Sequence, residues 1–314
     1  MTRDNAFPLV TVVIPTFNQA HYLPQALDSV LFQDYPSIEI VLCNHGSTDN
    51  TSDVIHEYLR DYESEQVSWA ESFVDGPGGG EVLRRHERRF PAGRTIQVLE
   101  SVENIGGSAS YAEGFRAASG EYCAYLVGDD YLLPNCVTEM VAALETTRAD
   151  VAYADMFVVD DAGRILQKLV KPEYSFQACL ADWFHLGVCR FYRRELHDRV
   201  GHYSPAFRNA NDYDMFLRFA MAGASFRKVD KVLYCTRKHD ANDPSEPASW
   251  RNNGYANLIR ESKECARRAR AFLRGEAGAD VATGGGCRAP GSFSRPQGET
   301  ATSRAGGNGD YARR

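Results

Sequence analysis

A chain of 314 residues with 43% hydrophobic content is long enough to bury one sizeable core. Its formal net charge of -7 argues against a duplex DNA or RNA partner, because nucleic-acid phosphates are bound by clustered Lys and Arg. No apolar run approaches the roughly 20 residues needed to span a bilayer, the first residues do not read as a secretory signal, and the eight Cys lack a C-x-x-C pair, so reduced core cysteines and a cytoplasmic location are expected.

The first half alternates strand and helix patterns. Leu9 to Ile14 is a β-branched run that predicts a strand, and Tyr22 to Phe32 carries Leu23, Ala26, Leu27, Val30 and Leu31 at helical spacing. Ile38 to Cys43 predicts the second strand, after which Ser47-Thr48-Asp49-Asn50 supplies N-cap candidates for a helix through Leu59. Between Glu63 and Arg94 the pattern weakens. Gly76-Pro77-Gly78-Gly79-Gly80 reads as a loop without the context of a phosphate loop, and Glu81 to Arg89 reads as a charged surface helix. Thr95 to Leu99 is the third strand, Ala109 to Ala118 a helix, and Tyr122 to Val127 a fourth strand that ends in Gly128-Asp129-Asp130. This βαβα order predicts a mostly parallel sheet flanked by helices.

In the second half a helix runs from near Pro134 to about Glu145, and Asp150 to Val159 resumes strand character. Asp160 to Gly163 predicts the turn of a hairpin into Ile165 to Val170. An apolar segment follows at Gly187 to Tyr192, then a helix opening near Asp212 and a strand at Lys231 to Thr236. Trp183, Phe184 and His185 either line an acceptor pocket or pack in the core. A helix from about Ala256 to Leu273 bears Arg260, Lys263, Arg267, Arg268 and Arg270, a basic face suited to peripheral membrane contact. From Gly275 onward the composition predicts a disordered tail.

In a parallel sheet the ends of the first, second and fourth strands emerge on one edge, where open α/β sheets bind ligands. Pro15-Thr16-Phe17-Asn18, Asn44-His45-Gly46-Ser47 and Gly128-Asp129-Asp130 would therefore meet at one crevice. Adjacent carboxylates there either hold a hard divalent cation, Mg²⁺ or Mn²⁺, for a phosphate-bearing substrate, or simply form a turn that caps the next helix.

Taken together and in order, these segments resemble the inverting family-2 glycosyltransferases, enzymes of the GT-A fold that use nucleotide-diphosphate sugars. The resemblance covers roughly Pro8 to Asn242 and rests on Val13-Ile14-Pro15-Thr16-Phe17-Asn18, on Glu39 to Asp49 with its Gly-Ser-Thr-Asp helix start, and on Asn104-Ile105-Gly106-Gly107-Ser108. It continues through Ala118 to Asp130, Asn211-Asp212-Tyr213-Asp214 and Tyr234-Cys235-Thr236-Arg237-Lys238-His239. It implies a Rossmann-like nucleotide-sugar half at 8–134, an acceptor half at 135–242, and a helical extension at 243–274. Asp212 then corresponds to the catalytic base. Pro15, Thr16, Asn18, Asn44, His45, Gly107, Tyr111, Asp129 and Arg237 are expected to contact the donor, and Asp129, Asp130 and His239 to hold Mn²⁺ or Mg²⁺. The implied donor is a UDP-sugar, with GDP- and dTDP-sugars as alternatives, and the acceptor is a hydroxyl on a glycan, a lipid-linked carrier or a small molecule.

Departures from the family pattern bear on activity. Asn44-His45 stands where two Asp residues are usual, Val127 replaces the first Asp of Asp-x-Asp, Tyr111-Ala112 replaces an Arg-Asn pair, and Asn211 replaces the acid before the base. A catalytically weak or silent sugar-nucleotide-binding protein of the same fold is the alternative these changes raise. A sugar-1-phosphate nucleotidyltransferase is disfavoured, since Thr16-Phe17-Asn18-Gln19 lacks a Gly-rich basic loop.

Overall fold

The computed structural model describes residues 7–64, 68–75, 81–88, 90–238 and 255–276. The Gly76 to Gly80 loop, His239 and the tail beyond residue 276 lie outside the described residues. Strands β1 (Val10–Thr16), β2 (Ile38–His45), β5 (Arg94–Ser101) and β6 (Tyr122–Tyr125) pair in parallel in the order β5-β2-β1-β6. The sheet continues through β10 (Arg190–Arg193), β8 (Val151–Val159), β11 (Phe226–Arg237) and β7 (Tyr131–Leu132), with β9 (Ile165–Leu169) paired to β8. In this nine-stranded sheet β10, β7 and β9 run against the other six strands. The Asp160 to Gly163 turn joins β8 to β9 as an antiparallel hairpin.

Alternate residues of β1 serve two helical layers, as the period of two in a strand requires. Val10, Val12 and Ile14 pack with α1 (Leu23–Leu31) and α4 (Cys136–Thr147), while Val13 faces α3 (Gly107–Ala117) and the side that carries α7 (Asn211–Met221). Both faces are therefore covered, which explains the unbroken apolar runs of the central strands. The second-strand exit leads into α2 (Thr51–Glu63).

Two features differ from expectation. Glu81 to Arg89 is not a helix: Glu81–Arg88 forms β4, antiparallel to β3 (Ser68–Asp75), in a separate two-stranded sheet. Trp69, Phe73 and Val74 favour a strand in the partner segment, and a paired ladder overrides the local helix tendency of the charged run. Short elements α5 (Phe176–Cys179) and α6 (Glu195–Val200) were also invisible to periodicity, being too brief to display any. The helix α8 (Tyr255–Arg274) packs on α7 by burying Leu258, Cys265 and Ala269 in the same core as Phe216 and Leu217. Of its basic residues, Arg267 and Arg268 both pair with Glu264, and Arg270 donates to the Leu180 carbonyl.

Gly114 sets how closely α3 lies on the sheet. A Cβ there would stand 2.4 Å from Val13 Cγ1 and 2.9 Å from Cys43 Sγ, both side chains fully buried. Gly114→Ala is expected to destabilise the fold, because overpacking costs ~1–3 kcal/mol and outweighs the helix-propensity gain of about 1 kcal/mol. The denaturation midpoint measures it, and an unchanged or raised midpoint would mean that α3 can slide off β1.

Candidate active site

At the carboxyl ends of β1 and β2 opens a cleft of about 750 Å³, the size of a nucleotide-sugar site. Of the residues expected to contact the donor, Pro15, Thr16, His45, Gly107 and Tyr111 line it, and so does Val127. The parallel register that sets Thr16 beside Asn44 and Val13 beside Tyr125 brings these distant segments to one edge. His45 is buried and held by α3 through Ser110 Oγ at 2.9 Å from Nδ1 and Glu113 Oε2 at 3.2 Å from Nε2.

Three expected donor contacts are used elsewhere. Asn44 is buried: its amide donates to Ser52 (2.9 Å) and Glu100 (2.8 Å), and its carbonyl accepts from Ser47 (2.6 Å). With donors and acceptor satisfied inside the protein, it braces the start of α2. Asn18 adopts a left-handed backbone (φ 53°), and its carbonyl accepts the Thr48 and Asp49 backbone N–H groups at 2.7 and 3.3 Å. Arg237 is buried, and its guanidinium donates to the carbonyls of Asp129 (2.9 Å), Asp160 (3.2 Å) and Asp161 (3.0 Å) and to Gln25 Oε1 (2.5 Å). It also lies over the rings of Tyr22 and Tyr131. The side chain thus clamps the Asp129 turn, the Asp160–Asp161 turn and α1 together.

The two adjacent acids have separate environments. Asp130 is buried, with Oδ2 accepting from Tyr234 Oη and Oδ1 from the Arg237 N–H, each at 2.7 Å. Burial and then repulsion from Asp129 push its pKa up, while the hydrogen bonds from Arg237, Tyr234 and Thr236 act the other way. Both oxygens tie the turn to β11. Asp129 is half-buried, one residue beyond Gly128. A Cβ at Gly128 would meet Gln19 Oε1 at 2.5 Å and Thr16 Oγ1 at 3.0 Å, so the turn closes tightly on the β1 exit.

Asp212 sits in the first turn of α7, where the macrodipole favours a negative charge. Its Oδ2 accepts from Arg190 at 3.0 Å and from Tyr125 Oη at 3.4 Å. The Arg190 side chain is 2% exposed and the Asp212 side chain 22%, so a buried cation holds a carboxylate that still reaches solvent. Burial works against the Arg190 charge, and neighbours including Tyr125 and Asp212 more than offset it, leaving its pKa above the ordinary arginine value. Arg190 also stacks 4.4 Å over the Phe216 ring. An arginine inside the apolar run Gly187 to Tyr192 was the overlooked signal, because a buried guanidinium is costly unless the fold supplies it with an acid or several acceptor oxygens.

Tyr111 joins the two halves of the site. Burial, then the nearby Tyr125, Asp212, Asp130 and Asp129, hold its phenol well above the usual tyrosine pKa. Tyr125, whose hydroxyl donates to Asp212, connects this cleft-lining side chain to the Arg190–Asp212 pair. The Tyr111 ring packs edge-on to Tyr125 (5.4 Å) and stacks on Tyr203 (4.8 Å). Trp183 and His185, by contrast, line a cavity of only about 20 Å³ beside Arg190, enough for a water and too small for a sugar ring.

Among the described residues no group of three or more His, Cys, Asp or Glu side chains is arranged to hold a metal. The half-buried acid of this turn is Asp129. A single carboxylate suits Mg²⁺ or Mn²⁺ when the remaining oxygens come from substrate phosphates and water.

The pattern described as Glycosyl transferase family 2 matches residues 11–201, more than half of the chain. The chain is 29% identical over 266 residues to a hyaluronan synthase of Pasteurella multocida and 29% over 263 residues to a chondroitin synthase of the same species. These alignments take in 82% and 81% of this chain but 23% of each relative, so the chain spans about a quarter of their length. Among solved structures, S. aureus TarS 1-349 in complex with UDP-GlcNAc superposes with a TM-score of 0.58 at 18% identity, covering 84% of this chain and 71% of that one. The mannosyltransferase PcManGT of Pyrobaculum calidifontis, in complex with GDP-Man and Mn²⁺, gives a TM-score of 0.53 at 18% identity, covering 88% and 78%. The fold is thus of the GT-A type, and with the family pattern matched over more than half of its length, the chain belongs to glycosyl transferase family 2.

Proposed function

We propose that this chain transfers a sugar, with inversion, from a nucleotide-diphosphate sugar to a hydroxyl acceptor in the synthesis of a polysaccharide or other glycoconjugate, and that it works in the cytoplasm. The observation that carries this reading is the cleft at the β1 and β2 ends, whose lining residue Tyr111 packs on the Tyr125 that donates to Asp212. Asp212 accepts the proton of the acceptor hydroxyl as that oxygen bonds to the anomeric carbon and the bond to the diphosphate breaks. Arg190 and Tyr125 orient the Asp212 carboxylate for that transfer. Asp129 would hold a divalent cation, which when bound supplies neutralising charge for the departing diphosphate. His45, Thr16 and Gly107 shape the wall against which the nucleotide rests. The resemblance points first to UDP-sugars; the complexes of TarS with UDP-GlcNAc and of PcManGT with GDP-Man and Mn²⁺ support testing both nucleotides. The polysaccharide synthases among the relatives support a glycan acceptor.

A donor screen tests the reading. Hydrolysis or transfer with UDP-, GDP- or dTDP-sugars in Mn²⁺ is expected, and Asp129→Ala is expected to lose about 10²-fold or more of it, the scale of a charge-stabilising group in a water-poor site. A second reading, donor binding without turnover, is favoured by Val127, which lines the cleft yet has no oxygen for a ribose or metal. Binding with no hydrolysis or transfer for any donor would establish that reading instead.

A further inference from the structure

A nucleoside diphosphate needs positive charge at its phosphates, and the expected cation, Arg237, has its guanidinium spent on four protein oxygens. Arg190 is paired with Asp212, and both ring nitrogens of His45 are engaged by α3. Among the described residues that line the cleft, one other cation remains. Arg208 is exposed on the cleft wall, opposite no acid, and has no hydrogen bond or ion pair among the described residues.

The backbone around Arg208 is held firmly although its side chain is not. The Phe207 carbonyl accepts from Ser108 Oγ of α3 at 2.5 Å. On the other side, Glu261 of α8 accepts the Asn209 and Ala210 N–H groups at 2.8 and 3.0 Å through one oxygen, Oε2. Arg268 of α8 lies 4.9 Å over the Phe207 ring, and Asn257, also on α8, joins the cleft wall. A pinned loop that presents an unpaired guanidinium to a cleft lowers the cost of binding an anion, since the backbone is already ordered and only the side chain must still be fixed. Guanidinium and phosphate match in a bidentate fork.

We propose that Arg208 is a donor-binding residue that meets the diphosphate, and that Glu261 of α8 is the positioning residue that fixes its loop. The inference rests on the nucleotide-diphosphate donor proposed above. It makes α8, which lies beyond the residues matched by the family pattern, part of the substrate site.

Calorimetry on the full chain with Mn²⁺ tests it, using UDP and GDP as probes and uridine and guanosine as controls. Arg208→Ala is expected to weaken binding of the accepted diphosphate about 10- to 30-fold, as for a hydrogen bond to a charged group, and to leave nucleoside affinity unchanged. Arg208→Lys should recover part of the loss, because the charge returns without the fork. Glu261→Ala should give a smaller diphosphate-selective loss that does not add to that of Arg208→Ala. Glu261→Gln should bind like the wild type, since its amide oxygen still accepts both N–H groups. Equal diphosphate binding by wild type and Arg208→Ala, or equal losses for diphosphate and nucleoside, would overturn the assignment and leave the donor reading intact. A wild type that binds neither diphosphate would overturn both.

Discussion

Replacing Asp212 by Asn is expected to lower turnover by about 10²–10⁴-fold, the usual contribution of a general base, while donor affinity stays within a few-fold of wild type. Asparagine keeps the shape of the side chain and an oxygen for Arg190 and Tyr125, so the pocket persists. What disappears is the negative charge proposed to take the acceptor proton. Donor binding is the internal control, because the cleft proposed for the nucleotide is lined by residues of β1, β2 and α3 and not by Asp212. Single-turnover kinetics with saturating donor and acceptor read the effect directly. Near-normal turnover would remove Asp212 from the mechanism and would move attention to another base.

Arg190→Met is expected to damage both stability and rate. Removing one partner of a buried ion pair typically costs ~3–5 kcal/mol, and the low end, about 3 kcal/mol, is expected because Asp212 retains contact with solvent. For a domain of this size that corresponds to a fall in Tm of roughly 6–12 °C. The methionine fills the space over Phe216 but leaves the Asp212 carboxylate without its cation, so the carboxylate can rotate out of line. A rate loss of about 10²-fold is expected from misplacement on the ångström scale, with donor affinity retained. The double variant Arg190→Met/Asp212→Asn should lose less stability than the sum of the single variants, since each single variant already breaks the pair. Additive losses would mean that Arg190 serves the core independently of Asp212.

Much of the scaffold was legible because its signals are local. The apolar runs at Leu9 to Ile14 and Ile38 to Cys43, and the helical spacing from Leu23 to Leu31, each encode an element within one short window. The Glu81 to Arg88 strand was not legible, because its conformation depends on pairing with Ser68 to Asp75. The site divides in the same way. Residue type and order pointed to the strand ends and to Asp212, and Pro15, Thr16, His45, Gly107 and Tyr111 do line one cleft. Which way each polar side chain turns was another matter. Asn44 is drawn inward by Ser47, Ser52 and Glu100, Asp130 by Tyr234 and the Arg237 N–H, and the Arg237 guanidinium by carbonyls from separate loops.

By itself, then, the sequence determined an α/β chain of this family, with strand ends carrying polar turns and an aspartate opening a late helix. Those features follow from periodicity, turn chemistry and motif order, all of which act over a few neighbouring residues. Only the tertiary structure decided that Asp130 is buried against β11, that a buried arginine from β10 holds Asp212, and that Glu261 of α8 braces the loop bearing Arg208. A hydrogen bond is satisfied by whatever group the fold brings within about 3 Å, and no local pattern specifies a partner that lies fifty or a hundred positions away.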